Sequence, residues 1–399
     1  MKQSPLRIGI GGAGIAGLAA AAFLARDGHE VTVFDQFPEP HPVGSGLMVQ
    51  PVGLAVLRVL GLDQKLMDLT APVARVLGRN RSGRAVLDVR YDDLRADACG
   101  FGTQRALLFN LLLQAARGAG AQLVTDSPLS GALVDHVGAT LTSPIGELGR
   151  FDLVLDCLGT DSPLCPQPSQ SLAFGALWAL LDFDRSGPFR SDWLEQRYHR
   201  AAKMAGILPV GRLEADAKEK LTFFWSLRGS DFANWRATPL EDWKADVTAL
   251  WPDLASVLEQ IVSRDDLIFA RYTHRTLRQP GNGRIAHLGD SFHATSPQLG
   301  QGANMALLDA FALTHALRAR SNPSEATALY AQMRRWHVRL YQAASWLFTP
   351  VYQSDSRVLP WLRDWVTAPL GRVPPGPWIL ARLVAGETGD PLGKILDRA

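Results

Sequence analysis

The residues with the most evident chemistry are three glycines near the start of the chain. They lie in the segment Gly12-Ala13-Gly14-Ile15-Ala16-Gly17. Gly12 permits a tight turn, Gly14 lets a phosphate approach the backbone, and Gly17 lets a helix pack closely on a strand. The first N–H groups of such a helix are free and carry a partial positive charge, so they favour bound phosphate. The spacing is typical of a dinucleotide-binding turn.

The segments that flank these glycines support the same interpretation. Leu6 to Ile10 is a short apolar run that predicts a buried strand. Leu18 to Asp27 predicts a helix that ends at Gly28, and Val31 to Phe34 predicts a second strand. Asp35 follows at the position where an acid accepts hydrogen bonds from ribose hydroxyls, and its charge would repel a 2′-phosphate. The order predicts a Rossmann-type unit that binds FAD or NAD rather than NADP.

A second glycine-rich segment follows a predicted strand at Ile285 to Leu288. Gly289-Asp290 comes next as a turn. Further on, Gly300 and Gly302 would let the backbone approach a flat ligand closely. Residues 303–319 predict a helix with a broad apolar face, and the start of that helix could stabilise the negative charge of a reduced flavin.

Taken together, the two segments resemble those of the aromatic-hydroxylase flavoproteins, which have the para-hydroxybenzoate hydroxylase fold. The matching residues of the second segment are Gly289, Asp290, His293, Pro297, Gly300, Gln301, Gly302, Ala303, Asn304, Asp309 and Ala310. The resemblance implies FAD as the cofactor, with Asp290 on its ribityl chain and Pro297 to Asn304 along its isoalloxazine. His293 belongs to the motif and is expected to be structural.

The resemblance also extends to two segments between these motifs. Gly46, in the loop Val43 to Leu47, is expected between the cofactor and the substrate domain, and Arg105 is expected near the FAD phosphates. The predicted cofactor-binding residues are therefore Gly12, Gly14, Gly17, Asp35, Gly46, Arg105, Asp290, Pro297, Gly300, Gly302, Ala303 and Asn304.

One segment departs from the family pattern. The family carries an Asp-Gly pair after a strand and an Arg some residues later, which serve FAD and the transient nicotinamide cofactor. This chain has Leu158 at the acid position and Cys165 at the arginine position. Only a shift of register would bring in Asp156 or Asp161 instead. The departure weakens the expectation that NADPH or NADH reduces the flavin directly, and it leaves the expectation of FAD unchanged.

The predicted fold class is α/β, with a Rossmann-type FAD-binding domain, a β-sheet substrate domain and a helical C-terminus. The FAD-binding domain is expected over residues 1–70, 101–165 and 280–340, the substrate domain over 71–100 and 166–279, and the helical segment over 341–399. Strands of the substrate sheet are predicted at 171–183, 203–210, 221–227 and 268–273, with a helical stretch at 241–261 that breaks at Pro252.

The substrate domain offers candidate residues without a clear choice among them. An apolar substrate cavity could be lined by Trp178, Phe223, Trp225 and Tyr272, although each is more readily explained as core. Three residues could act as a base for a phenolic substrate, and none is singled out: His199, His274 and Tyr272. The catalytic residues therefore stay unknown at this stage.

The last part of the chain is rich in aromatic residues and arginines. Residues 326–346 predict a helix, and prolines divide the rest into short helices. Trp361, Trp365 and Trp378 lie near arginines in sequence. We favour a packed cap over the substrate pocket, with a partner surface or peripheral membrane contact as alternatives.

Composition excludes several other classes of protein. The chain has 399 residues and a net charge of +2, from 41 basic and 39 acidic residues, which gives no reason to expect nucleic acid as a partner. Three cysteines without a repeated spacing argue against a disulfide framework or a metal site and favour the cytoplasm. Glycines interrupt the first apolar run, which argues against a signal peptide, and no transmembrane helix is expected.

The resemblance implies a monooxygenase. A C4a-hydroperoxyflavin, formed from reduced FAD and O2, would insert one oxygen atom into an apolar, aromatic or unsaturated small molecule. The degraded Asp-Gly and Arg motif keeps a flavin oxidase or dehydrogenase as the alternative. A flavin-bound module without catalysis is a second alternative, whereas the tryptophan-rich signature of the flavin halogenases is absent.

Overall fold

The computed structural model describes residues 4–40, 46–389 and 392–396. Val43, Gly44 and Ser45 of the predicted loop lie outside them. The strands are β1 (Arg7–Gly11), β2 (Glu30–Phe34), β3 (Gly46–Val49), β4 (Ala71–Val73), β5 (Arg75–Asn80), β6 (Ala85–Arg90), β7 (Gly100–Gln104), β8 (Gln122–Val124), β9 (Gly131–Val134), β10 (Ala139–Ser143), β11 (Gly146–Phe151), β12 (Leu153–Asp156), β13 (Gln170–Asp182), β14 (Trp193–His199), β15 (Lys203–Gly211), β16 (Lys220–Arg228), β17 (Ile268–His274), β18 (Gly281–Asn282) and β19 (Ile285–His287).

The helices connect and cover these strands. They are α1 (Ile15–Arg26), α2 (Pro51–Val59), α3 (Asp63–Met67), α4 (Arg105–Gly118), α5 (Phe232–Ala237), α6 (Leu240–Leu250), α7 (Ala255–Leu258), α8 (Asp290–His293), α9 (Gly302–Ala319), α10 (Pro323–Tyr352), α11 (Val358–Leu362), α12 (Ala368–Leu370), α13 (Gly376–Val384) and α14 (Gly393–Leu396). The break that Pro252 predicts falls between α6 and α7. Helix α1 begins three residues earlier than predicted, directly after the glycine turn.

A six-stranded sheet forms the cofactor-binding half, in the order β18-β19-β12-β1-β2-β8. Strands β19, β12, β1, β2 and β8 run parallel. Their apolar residues are buried on both faces, as in other parallel sheets. Helices α4 and α9 each pack on α1 beside this sheet, with alanines of α1 in the core. The prediction of a Rossmann-type unit is confirmed.

A seven-stranded sheet forms the second half, in the order β17-β13-β16-β15-β14-β5-β6. All its neighbouring strands are antiparallel except β14 and β5. Helices α5 to α7 cover one face with Trp235, Trp243 and Leu254. The opposite face packs on β3 and on the C-terminal helices. Residues 75–90 thus belong to this sheet, although they precede the predicted strands by about a hundred positions.

A small antiparallel sheet, β3-β7-β4, joins the two halves. A Cβ atom placed on Gly102 of β7 would clash with the Pro209 carbonyl of β15, and one on Gly46 of β3 would clash with the Thr222 hydroxyl of β16. The two glycines therefore let this sheet lie directly on the seven-stranded sheet. The close approach fixes the gap between the two halves, where the site lies.

The C-terminal helices wrap around this junction. Helix α10 has 30 residues and is longer than predicted. One side of the segment is buried through Tyr352 of α10 and Ala381 of α13, and it packs on Met48 and Phe224. Among the described residues, none of the helices has the length and apolarity needed to cross a bilayer.

Candidate cofactor and active site

The glycine turn has an open and a closed side. Gly12 adopts a φ of +96°, and its N–H donates to the Phe34 carbonyl (2.8 Å). A Cβ on Gly17 would clash with the Gly12 carbonyl oxygen, so helix and strand touch there. A Cβ on Gly14 would meet no atom within 4 Å. Helix α1 has no side-chain cap and no acid in its first turn, so its first N–H groups are available to phosphate.

Asp35 lies at the end of β2, beside this turn. Its Oδ2 accepts the Ala13 N–H (2.8 Å) and its Oδ1 accepts the Phe37 N–H (3.0 Å). The glycine turn itself thus orients the carboxylate. Each carboxylate oxygen retains a lone pair that could accept a ribose hydroxyl.

The second segment meets the first at Gly289. A Cβ on Gly289 would come within 3.2 Å of the Ala16 methyl in the first turn of α1. Asp290 follows at the start of α8 and is exposed. The two segments are some 270 residues apart in sequence and adjacent in space, so one extended ligand can span both.

The stretch from Pro297 to Gly302 presents bare backbone. Gly300 has a φ of +62°, which favours glycine, and a Cβ on Gly302 would meet no atom within 4 Å. Pro297 is exposed and Ala303 is half-buried. Helix α9 begins at Gly302 without a side-chain cap or an acid in its first turn. Two buried polar atoms here, Ser296 Oγ and Gln301 Oε1, have no hydrogen-bond partner among the described residues. These residues fit a flat, polar-edged ring such as that of FAD.

Asn304 supports this stretch from beneath. Its side chain is fully buried. Its Oδ1 accepts the Gln50 N–H (2.8 Å), and its Nδ2 donates to the carbonyls of Met48 (3.0 Å) and Gly300 (2.9 Å). Gln50 in turn accepts the Tyr91 hydroxyl (2.5 Å). The Asn304 side chain therefore ties β3 to the glycine stretch.

A buried ionic cluster lies behind Gly289. Asp309 of α9 accepts the Gly289 N–H (2.9 Å), contacts His293 Nε2 (2.6 Å), and accepts Arg334 Nε of α10 (2.6 Å). All three side chains are fully buried. Burial alone would raise the pKa of Asp309, but the charges of His293 and Arg334 outweigh it and hold that pKa below its ordinary value.

The cluster continues to the C-terminal segment through His337. Arg334 Nη1 lies 3.1 Å from His337 Nδ1, and His337 Nε2 lies 3.1 Å from the Gly386 carbonyl. Because a guanidinium only donates, Nδ1 must accept and Nε2 must carry the proton. Burial and the charge of Arg334 lower the pKa of His337 to about 3, which keeps it neutral. Arg334 and His337 were not among the residues predicted from sequence.

The segment that departs from the family pattern lies against the glycine turn. Leu158 is half-buried and packs beside Gly11, and Asp161 is exposed. Asp156 is fully buried and engaged: it accepts the Ser162 hydroxyl (2.8 Å) and contacts His287 Nδ1 (2.7 Å). Asp156 is therefore not available to a nicotinamide cofactor.

A buried arginine from a distant part of the chain donates hydrogen bonds to the loop after β12 and to α8. Arg275 follows β17 and is 5% exposed. Its Nη2 donates to the Thr160 carbonyl (2.7 Å) and its Nη1 to the Ser291 carbonyl (3.4 Å). The Cys165 thiol donates to the same Ser291 carbonyl (3.6 Å). Arg275 thus connects the loop after β12 to α8, close to the position where the family has its arginine.

The remaining two predicted residues lie at the edge of the site. Gly46 of β3 pairs with Gln104 of β7. Arg105 follows Gln104 in the chain and is the first residue of α4. Arg105 is exposed, and its guanidinium makes no ion pair or hydrogen bond with the described residues. It is free to meet a ligand.

Side chains of the seven-stranded sheet alternate between its two faces, and only one face is turned toward the cofactor-binding half. Trp178 and Phe224 lie on that face with ring centroids 5.0 Å apart. Phe223 and Trp225 lie in the core under α5 to α7, which agrees with the preferred interpretation of both residues as core and not with a role in lining the cavity. Strand alternation separates them from Phe224, and the sequence does not reveal which set faces the cofactor.

The three candidate bases differ in their environments. His199 lies at the end of β14, where burial and nearby cations lower its pKa. Burial also lowers the pKa of His274. Burial raises the pKa of Tyr272 far above its ordinary value, and the neighbouring Trp178 offsets this only in part. Tyr272 is therefore neutral at physiological pH.

Comparison with known proteins agrees with this geometry. The model of the FAD binding domain family matches residues 6–144 and 189–341, and the chain belongs to this family. It is a FAD-dependent oxidoreductase of the aromatic-hydroxylase type, a monooxygenase.

Two relatives and one solved structure illustrate this similarity. The chain is 24% identical to a probable 2-heptyl-3-hydroxy-4(1H)-quinolone synthase of Rhodococcus erythropolis, over 91% of this chain and 90% of that protein. It is 27% identical to a FAD-dependent urate hydroxylase of Klebsiella pneumoniae, over 82% and 85%. Among solved structures, 2-methyl-3-hydroxypyridine-5-carboxylic acid oxygenase matches with a TM-score of 0.78 and 21% identity, over 98% of both chains.

Proposed function

We propose that this monooxygenase adds one oxygen atom from O2 to an uncharged, apolar aromatic or unsaturated small molecule. One observation carries the proposal: a continuous apolar cluster leads from the cofactor stretch to the seven-stranded sheet. A Cβ on Gly300 would lie 3.7 Å from the Met48 Cβ, and Met48 belongs to the same cluster as Phe224 and Trp178. A substrate bound between cofactor and sheet would contact these side chains.

The charged residues at the two ends of β16 form ion pairs outside this cluster. At one end Lys220 contacts Asp182 (2.5 Å), and at the other Arg228 contacts Asp355. A substrate carboxylate in the middle of the face would lose its hydration without gaining a cation, which costs several kcal/mol. The arrangement therefore favours neutral substrates.

The chain's own residues have distinct roles in this proposal. Bound FAD supplies the redox chemistry and the activation of O2. The uncapped start of α9 at Gly302 would hold the edge of the bound cofactor and favour negative charge there. Tyr272, a neighbour of Trp178 on the seven-stranded sheet, would offer its neutral hydroxyl to the substrate as a hydrogen-bond donor or acceptor. The apolar cluster excludes water from the reacting centre.

Two relatives support a neutral, fused-ring aromatic as the substrate class. One is the Rhodococcus protein named for a 2-heptyl-quinolone, and the other is an aurachin C monooxygenase/isomerase of Stigmatella aurantiaca, 24% identical over 91% of this chain. The test offers the FAD-loaded protein a 2-alkyl-4-quinolone and, separately, 6-hydroxynicotinate. We expect the quinolone to perturb the flavin absorbance at lower concentration and to gain one labelled atom from isotopically labelled O2. Tighter binding of the carboxylate would contradict the proposal.

The identity of the reductant is a second part of the proposal. We propose NADPH or NADH as a transient reductant, with direct hydride transfer from the substrate as the rival. The apolar Leu158 beside the glycine turn and the engaged Asp156 favour the rival. Anaerobic mixing separates the two. Bleaching of the flavin by NADH or NADPH supports the monooxygenase cycle, and bleaching by the organic substrate alone identifies an oxidase or dehydrogenase.

We also propose that the protein works in the cytoplasm. Cys99, Cys157 and Cys165 form no disulfide among the described residues, which suits a reducing compartment. Fractionation of cells that express the untagged protein tests this location.

A further inference from the structure

The C-terminal helices expose an unusual set of tryptophans. The chain has eleven tryptophans, and the six before residue 330 are buried or half-buried. The five after it are all at least 44% exposed: Trp336, Trp346, Trp361, Trp365 and Trp378. Aromatic surface of this extent is rarely left in water unless it meets a partner. The segment from α10 to α13 is therefore a candidate interaction surface.

Helix α10 shows how this surface is arranged. Tyr330, Arg334 and Tyr341 point into the protein and are buried. Trp336, Leu340 and Leu347 are 75%, 38% and 62% exposed, and their spacing places them together on the other side of the helix. The helix thus has one side buried in the protein and, on the other, apolar side chains that the described residues leave largely exposed.

The charges around these tryptophans are of one sign. Residues 331–389 contain seven arginines, no lysine and three acids. Each acid is paired: Asp355 with Arg228, Asp364 with Arg363, and Glu387 with Arg95. Five arginines make no ion pair with the described residues: Arg335, Arg339, Arg357, Arg372 and Arg382. Their positive charge is uncompensated, which favours an anionic partner.

We propose that this surface, defined by the five exposed tryptophans and the five unpaired arginines, docks the enzyme on an anionic lipid bilayer. Tryptophan is enriched at the boundary between water and hydrocarbon, where its ring is apolar and its N–H remains hydrated. Arginines beside it are attracted to acidic lipid headgroups. A second copy of the chain fits less well, because a two-fold contact would bring the unpaired arginines against one another.

Vesicle co-sedimentation of the FAD-loaded, full-length protein tests the proposal. The probes are vesicles of phosphatidylcholine with and without phosphatidylglycerol. We expect binding to be about tenfold tighter or more when phosphatidylglycerol is present, and to weaken as salt screens the charges.

Two variants separate the apolar and charged contributions. We expect Trp336→Ser with Leu347→Ser to weaken binding to both kinds of vesicle. Arg335→Gln with Arg339→Gln should weaken only the binding to anionic vesicles, by about tenfold or more. Val262→Ser is the matched control, because Val262 is 81% exposed outside this surface and should leave binding unchanged. Flavin content and circular dichroism equal to the wild type establish that each variant is folded.

Three results would overturn the proposal. Wild-type protein that stays in the supernatant with anionic vesicles contradicts it, as does equal vesicle binding by all variants. A dimer that dissociates on Trp336→Ser, seen by sedimentation velocity in protein without vesicle affinity, would assign the surface to self-association instead.

Discussion

The two segments that fit the cofactor are built in opposite ways. The first, from Gly12 to Asp35, is positioned by contacts within one stretch of about thirty residues, such as the Ala13 N–H that donates to the Asp35 carboxylate. The second, from Gly289 to Asn304, is held by buried side chains of α9 and α10, one of which donates to the Met48 carbonyl of β3. One half of the site is therefore determined by local sequence, whereas the other half depends on how distant parts of the chain pack.

The two segments also differ in how their stability depends on buried charge. The first segment leaves the Asp35 carboxylate half-buried, with a backbone N–H on each of its oxygens. The second segment rests on Asp309, His293 and Arg334, all without access to water. A buried ion pair is stable only while complete, since either partner alone is left charged in an apolar interior. The second half should therefore be the more fragile under substitution.

The largest effect is expected from Arg334→Met. The change removes the guanidinium that pairs with the fully buried Asp309 carboxylate, and we expect the free energy of unfolding to fall by about 3–5 kcal/mol. Urea denaturation at neutral pH, followed by circular dichroism, measures it. Arg335→Met is the matched control, because Arg335 is exposed and should change stability by less than about 0.5 kcal/mol. Equal losses of unfolding free energy in the two variants would show that the buried cluster contributes no more stability than an exposed arginine.

A smaller effect is expected from Gly17→Ala in the first segment. The new methyl group would clash with the Gly12 carbonyl and separate helix from strand, at a cost of about 1–3 kcal/mol. Gly14→Ala adds the same methyl group where no atom lies within 4 Å. The Gly14 variant should therefore keep the stability of the FAD-free protein and lose affinity for FAD, measured by flavin fluorescence titration. If Gly14→Ala binds FAD as the wild type does, the phosphates do not approach this turn.

The same contrast explains what the sequence could predict. The first segment was predictable except for the exact start of α1, because its strand, turn, helix and acid follow one another within about thirty residues and each has a local signature. The glycines of the second segment were predictable through a resemblance. The partner of Asp309 was not, because no local rule pairs residues of α9 and α10.

One sequence signal could have pointed to the missing partner. Tyr330, Arg334, His337 and Tyr341 recur at helical spacing on the side of α10 that is buried. Polar residues on such a face indicate a buried network and not a plain core. In the sheet, by contrast, Phe223 and Phe224 are equally apolar, and only the tertiary structure decides which one faces the cofactor.

The smallest effect concerns pH and connects the second segment to the C-terminal helices. His337 has a folded-state pKa of about 3, against an ordinary value of 6.5, so the unfolded chain binds a proton that the folded chain does not. Stability from this group is present above pH 6.5 and is lost as the pH falls toward 3, by about 2 kcal/mol at pH 5. His337→Gln can keep both hydrogen bonds, to Arg334 and to the Gly386 carbonyl, without titrating in this range. Between pH 7.5 and pH 5, we therefore expect urea denaturation to show a smaller loss of stability in the variant than in the wild type. Parallel pH profiles would mean that His337 gains its proton without cost, and that the buried cluster is more accessible to water than its packing indicates.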